Sequence, residues 1–149
     1  MKLTTKDLLL VTLQFILFGL YFLDFSFFKI DDLGIISHIG LIIAIGGSLV
    51  LIISLLQLNK NLSPFPTPKD NGILIQNGLY AHIRHPIYTG ILFVAFGMAL
   101  YVGSIYKIGI GFLLCLLFHY KTKYEEELLL QKFKEYEMYM LKTGRFIPK

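Results

Sequence analysis

Apolar positions along the chain gather into long unbroken runs rather than the short alternations of a soluble fold. Residues 8–28 form one run, interrupted late by Asp24. Residues 33–58 form a second, 26 positions with no formal charge unless His38 is protonated. A helix of that length crosses the roughly 30 Å of bilayer hydrocarbon with some tilt. The third run, residues 87–118, is broken only by Lys107 and is 32 residues long, too long for one ordinary span. The stretch "YVGSIYKIG", residues 101–109, supplies glycine, serine and a cation where a tight hairpin would sit. The pattern predicts an all-α, polytopic membrane protein of about four transmembrane helices. The third and fourth form a hairpin of short arms.

Two regions break the lipid-like pattern. Residues 59–86, "NKNLSPFPTPKDNGILIQNGLYAHIRHP", hold four of the five prolines and two Asn-Gly turns. Pro64, Pro66 and Pro68 predict extended backbone. The interleaved Ile73, Leu74, Ile75, Leu79 and Tyr80 predict that this long loop is packed rather than disordered, and loops of that length are usually functional. In the tail, Leu129, Phe133, Tyr136 and Met140 recur at spacings of 4, 3 and 4, a helical stripe. It predicts a cytoplasmic helix that continues from the fourth span and lies near the interface. The chain therefore reads as one domain, 1–149: two spans (1–58), a loop (59–86), a hairpin (87–120), and a C-terminal helix and tail (121–149).

Composition agrees with a membrane solvent. Of 149 residues, 55% are hydrophobic and 16% charged, with a mean hydropathy of +0.65, too apolar for a soluble domain of this length. A net charge of +4 gives no reason to expect nucleic acid. The single cysteine, Cys115, permits no internal disulfide. The basic, apolar N-terminus runs into "DFSFFK" instead of a small-residue cleavage site, so the first span is expected to be retained. Lysines and arginines concentrate at the N-terminus, in the second loop and in the tail, where seven occur from residue 121 onward. This asymmetry puts both termini and the second loop in the cytoplasm. Lys107, on the far side, is the one dissenting charge.

Candidate chemistry gathers at two places. In Arg84-His85-Pro86-Ile87-Tyr88, Pro86 suits the first turn of a helix. The free N–H groups and dipole of that turn, with Arg84 and His85, form an anion site at the membrane surface. The same residues also read as an interfacial anchor, with Arg84 and Tyr88 reaching to headgroups. On the tail, Lys121 and Glu125 are four apart and share a helix face. A carboxylate there suits a ribose diol, although Glu125, Glu126 and Glu127 also read as a solvated helix surface. His82 and His85 are three apart, but no Cys/His/Asp set completes a metal site, and His38 and His119 stand alone. No nucleophile elbow, phosphate-binding loop or dinucleotide-binding glycine pattern occurs.

Taken together, the two regions carry a resemblance. "GILIQNGLYAHIRHPIYTG" resembles the loop-plus-helix signature of the isoprenylcysteine carboxyl methyltransferase family and its phospholipid methyltransferase relatives. There a turn glycine and a tyrosine precede Arg-His-Pro-x-Tyr-x-Gly. The closing pattern is similar too: Glu125-Glu126, Leu129, Phe133, Tyr136, Tyr139 and Arg145-Phe146-Ile147-Pro148. The resemblance covers about residues 64–148. It implies S-adenosylmethionine as methyl donor, in a pocket closed by the C-terminal helix. By that resemblance Gly72, Ile73, Leu74 and Ile75 border the cofactor, Tyr80, His85, Pro86 and Tyr88 belong to its site, and Glu125 holds it. Arg84 and Lys121 are then expected to orient the acceptor, a lipid-like amphiphile arriving from the bilayer. Lys121 stands where the family usually has arginine, keeping the charge without the bidentate fork, and Lys134 replaces a frequent glycine. The implied acceptor is the carboxylate of a prenylated cysteine. The alternatives are a phospholipid amine, which would need a base such as Glu126, His82 or His119, and a non-catalytic protein that kept the fold. No metal is implied.

Overall fold

A computed structural model describes residues 3–23, 29–30 and 33–149. Asp24, Asp31 and Asp32 of the first loop lie outside the described residues. Within the described residues five α-helices follow in order: α1 (Thr5–Phe22), α2 (Ile35–Leu58), α3 (Pro86–Tyr101), α4 (Ile105–Lys132) and α5 (Tyr136–Lys142). No strand occurs among the described residues, only two isolated bridges. Among the described residues, three segments are long and apolar enough to cross a membrane, Thr5–Phe22, Ile35–Asn61 and Ile105–Lys132, and α3 is a shorter apolar helix. The protein is multi-pass, as the runs predict.

Packing runs in the order α2–α3–α4–α1. The most extensive contact, α2 on α3, rests on glycine. Gly40 and Gly47 on α2 face Gly97 and Gly90 on antiparallel α3. A Cβ built on Gly40 would lie 2.7 Å from the Gly97 carbonyl oxygen, and one on Gly97 would lie 2.5 Å from the Ala44 nitrogen. Lipid chains are as apolar as leucine, so close backbone approach replaces the hydrophobic effect as the attraction between spans. On the other side, Leu10 and Leu17 of α1 join Leu92, Ile110, Leu114, Leu117 and Phe118 in a buried cluster.

The turn between α3 and α4 falls within the expected stretch, with Gly103 at φ +66° and Ser104 capping α4 by accepting from the Lys107 N–H at 3.2 Å. The two arms are unequal. α3 has 16 residues, as short as expected, but α4 has 28 and continues through the charged segment to Lys132. At about 1.5 Å per residue, the last turns of α4 extend past the hydrocarbon, with Lys123 and Glu127 exposed and Lys121 and Glu126 buried within the protein. Lys107 also has a local reason. Its Nζ donates to the Tyr21 carbonyl at 2.6 Å, and the Tyr106 hydroxyl donates to the Leu20 carbonyl at 2.9 Å. Both reach carbonyls at the C-terminal end of α1, where Leu20 O also accepts from the Leu23 N–H at 3.0 Å.

One boundary differs from expectation. The stripe through Leu129 and Met140 predicts one continuous helix, whereas the chain breaks at Phe133, which is extended (φ −119°, ψ 114°). The break lets α5 turn back across the bundle end, burying Tyr136 and Tyr139. A straight continuation would carry both rings into solvent. The tail beyond α5 then pairs with the segment before α3: the Arg84 N–H donates to Gly144 O at 2.9 Å and the His85 N–H to Arg145 O at 3.1 Å.

Candidate active site

At the end of the bundle that holds loop 59–86 and the tail, a cavity of about 330 Å³ opens between α1, α3, α4, α5 and the loop. Such a volume falls at the lower end of the range for small-molecule sites. Loop 59–86 forms its roof and is held on all sides. The Ile73 N–H donates to Asn61 Oδ1 at 3.1 Å and the Leu79 N–H to Gln57 Oε1 at 3.0 Å. The proline segment is latched to α1. Asp7, fully buried, accepts from the Thr67 N–H at 3.1 Å and the Thr67 hydroxyl at 2.7 Å. The same carboxylate closes the capping box with Thr4 at the start of α1.

Residues 72–75, Tyr80, Arg84, His85, Tyr88, Lys121 and Glu125 all line the cavity. Pro86 is fully buried as the first residue of α3 and is not on the wall. Neither are Glu126, His82 and His119. Glu126 is buried among other partners, and the two histidines are exposed, so none of the three is positioned as a base inside it.

The two neighbouring glutamates have separate environments because adjacent helix positions point about 100° apart. Glu126 is 3% exposed and is the hub of a polar cluster. It accepts from Arg84 Nε at 2.8 Å, from Arg145 at 2.5 Å and from His85 Nε2 at 3.3 Å. A carboxylate only accepts, so His85 Nε2 carries the proton. Arg84 also donates to the carbonyls of Thr143 and, at 3.2 Å, Met140. The guanidinium is therefore engaged in joining α3, α4 and the tail. Glu125 has a 25% exposed side chain. It accepts from the Tyr88 hydroxyl at 3.2 Å and lies 3.9 Å from His85 Nδ1.

Lys121 is fully buried on the same wall. Its Nζ donates to Gln14 Oε1 at 2.5 Å and to the Pro64 carbonyl at 2.8 Å, and lies 5.4 Å from the Tyr88 ring centroid. Among the described residues it makes no ion pair. Three phenols complete the far wall. Tyr80 donates to Ser54 O at 3.4 Å and Tyr139 to Tyr80 O at 2.5 Å. Burial, aided by nearby glutamates, pushes the Tyr80 and Tyr136 phenols well up. Burial likewise pushes Tyr139 up to about 12, so all three phenols are protonated at neutral pH. The described residues contain no cluster of three or more metal-ligating side chains.

Sequence reasoning missed Gln14, Asp7, Thr67, Tyr136 as a wall residue, and the hub role of Glu126. Two carried signals. Gln14 is the one amide side chain in the first apolar run, and a strongly polar group inside a span by default marks a functional interior. Thr4-x-x-Asp7 has capping-box spacing.

Comparison with known proteins agrees with this architecture. No curated protein matches the chain. A solved structure of the eukaryotic intramembrane Ras methyltransferase isoprenylcysteine carboxyl methyltransferase superposes with a TM-score of 0.70 at 21% identity, covering 99% of this chain and 54% of that one. The chain thus shares its fold while spanning about half its length. The model of one family, phospholipid methyltransferase, matches residues 35–136, from the start of α2 to the start of α5. This match takes in more than half of the sequence and most of the cavity wall, and the chain belongs to the phospholipid methyltransferase family.

Proposed function

We propose that the protein is an S-adenosylmethionine-dependent methyltransferase that O-methylates the carboxylate of a membrane-embedded amphiphile, a prenylcysteine-like acceptor by preference. The observation that carries this reading is the cavity itself. It joins residues 72–75 and Glu125, some fifty positions apart in sequence, beside a buried cation and an apolar wall. The residues suit the cofactor. Glu125 is partly exposed and hydrogen-bonded by Tyr88, with capacity left for a ribose diol. Gly72, on the cavity wall, sits in a tight turn of the roof where a Cβ would lie 3.0 Å from Lys69 O. The Tyr136 hydroxyl is buried without a partner among the described residues.

The chemistry the bound cofactor supplies is an electrophilic methyl group on a sulfonium. The protein's part is alignment, and in-line displacement depends on that more than on a base. Lys121 faces the cavity with only neutral acceptors, so it suits an anionic acceptor and disfavours an ammonium. Held by Gln14 and Pro64, it fixes the acceptor carboxylate without protonating it. Arg84 acts on that geometry indirectly, through Glu126 and the tail. The basic loop and tail support a cytoplasmic location for this end of the bundle. The acceptor's tail then remains in the bilayer.

A second reading, N-methylation of a phospholipid amine, is favoured by the description of the family. The test is S-adenosylmethionine binding to the protein purified in detergent, repeated with Glu125→Ala and His85→Ala. Absence of binding by the folded wild type removes the enzyme reading, and binding that survives both substitutions removes the site assignment. Radiolabelled methyl transfer to prenylcysteine analogues and to phosphatidylethanolamine then separates the two acceptors. Lys121→Met is expected to leave cofactor affinity within about twofold and to raise KM for the acidic acceptor on the order of tenfold, the effect of one charge-assisted hydrogen bond.

A further inference from the structure

We infer that the Tyr136 hydroxyl is a binding group for the methyl donor, making with the bound ligand the hydrogen bond it lacks in the free protein. The inference rests on the proposed cofactor reading and adds a residue to it. Tyr136 is 1% exposed and lines the cavity. Its hydroxyl is the one buried side-chain polar atom among the described residues with no hydrogen-bond partner.

The neighbouring phenols show how uneven this is. Tyr80 donates to Ser54 O, Tyr139 to Tyr80 O and Tyr88 to Glu125. Tyr136 shares their wall, stacks edge-on against Tyr139 with ring centroids 5.7 Å apart, and donates to nothing. A buried hydroxyl left unpaired is a net cost to the folded state. A phenylalanine would fill the same volume without that cost. The ring position does not depend on the oxygen either, because α5 is fixed by Tyr139 on Tyr80 and by Arg84 on the Thr143 and Met140 carbonyls. The oxygen has no structural task in the free protein, and the residue that carries it lines the cavity. Burial keeps the phenol protonated, so it acts as a donor and its partner is an acceptor atom of the ligand. That contact makes α5 a direct part of the binding wall as well as its cover.

The test is Tyr136→Phe in detergent, read by ligand-free thermal unfolding and by calorimetric titration with S-adenosylmethionine and S-adenosylhomocysteine. Tyr139→Phe, which loses an existing hydrogen bond, serves as the comparison. The expected result has opposite signs in the two measurements. Ligand-free Tm stays equal or rises for Tyr136→Phe, while both ligands bind on the order of tenfold more weakly, the loss of one well-desolvated hydrogen bond. Tyr139→Phe lowers Tm. Unchanged affinity in Tyr136→Phe, with wild type binding normally, overturns the inference and leaves the cofactor reading intact. A fall in ligand-free Tm together with weaker binding also overturns it, because the hydroxyl would then be structural. Failure of the wild type to bind either ligand overturns the cofactor reading, and this inference with it.

Discussion

Glu125 and Glu126 show how a single step along a helix divides chemistry from architecture. Glu126 has three cationic or N–H partners and almost no exposure, and Glu125 has one phenol and an open side. Removing one partner of a buried ionic cluster leaves the others uncompensated. Glu126→Gln is therefore expected to destabilise the protein by about 3 kcal/mol or more, measured as a lowered unfolding midpoint in detergent. Glu125→Gln is expected to change stability by less than about 1 kcal/mol while weakening S-adenosylmethionine binding at least tenfold. A larger stability loss for Glu125→Gln than for Glu126→Gln would reverse the two assignments. Nothing in the run "EEE" distinguishes the two residues. The difference depends on where Arg84 and Arg145 arrive, from about forty residues before and about twenty after.

At the scale of elements, the α2–α3 pair depends on four glycines spaced seven apart in each helix. Gly97→Ala has no room, since its Cβ would meet the Ala44 backbone at 2.5 Å, and is expected to cost about 1–3 kcal/mol by forcing the helices apart. Gly46→Ala lies on the facing helix, α2, with nothing within 4 Å. There the change is expected to be neutral or stabilising by about 0.5–1 kcal/mol through helix propensity. Thermal unfolding of the two variants side by side checks both, and equal effects would show that the close approach is not what holds the pair. The spans themselves follow from hydropathy, because bilayer thickness imposes a length that composition reveals. The reach of α4 to Lys132 and the break at Phe133 do not follow, because both depend on what α5 can bury.

For the whole molecule, the start of α1, the proline loop and the tail meet at one end. Asp7 holds Thr67, the Thr4 hydroxyl lies 3.2 Å from the Tyr124 hydroxyl, and Lys6 lies over the Tyr124 ring. Both termini should therefore report the same side of the membrane. Fusions at the C-terminus should be fluorescent with green fluorescent protein and inactive with alkaline phosphatase, and the reverse result would invert the proposed orientation. Asp7→Asn weakens the latch on the roof, so it is expected to lower stability by about 1–2 kcal/mol and to raise the cofactor Kd. An unchanged Kd would show that the roof keeps its position without this contact.

By itself the sequence determined the solvent, the spans and the polar end of the bundle. Each of these is set by local hydropathy, proline placement and charge, which need no partner to act. It also carried the two motifs from which Tyr80, His85, Tyr88 and Glu125 were expected together, though by resemblance and not by any local signal. Only the tertiary structure decided which groups face the cavity. Arg84 turns to Glu126 and the tail, Pro86 is buried in the first turn of α3, and Lys121 finds Gln14 more than a hundred residues away. The physical reason is that a buried charge or hydroxyl must be satisfied by whatever the fold brings to it, and those partners come from distant parts of the chain.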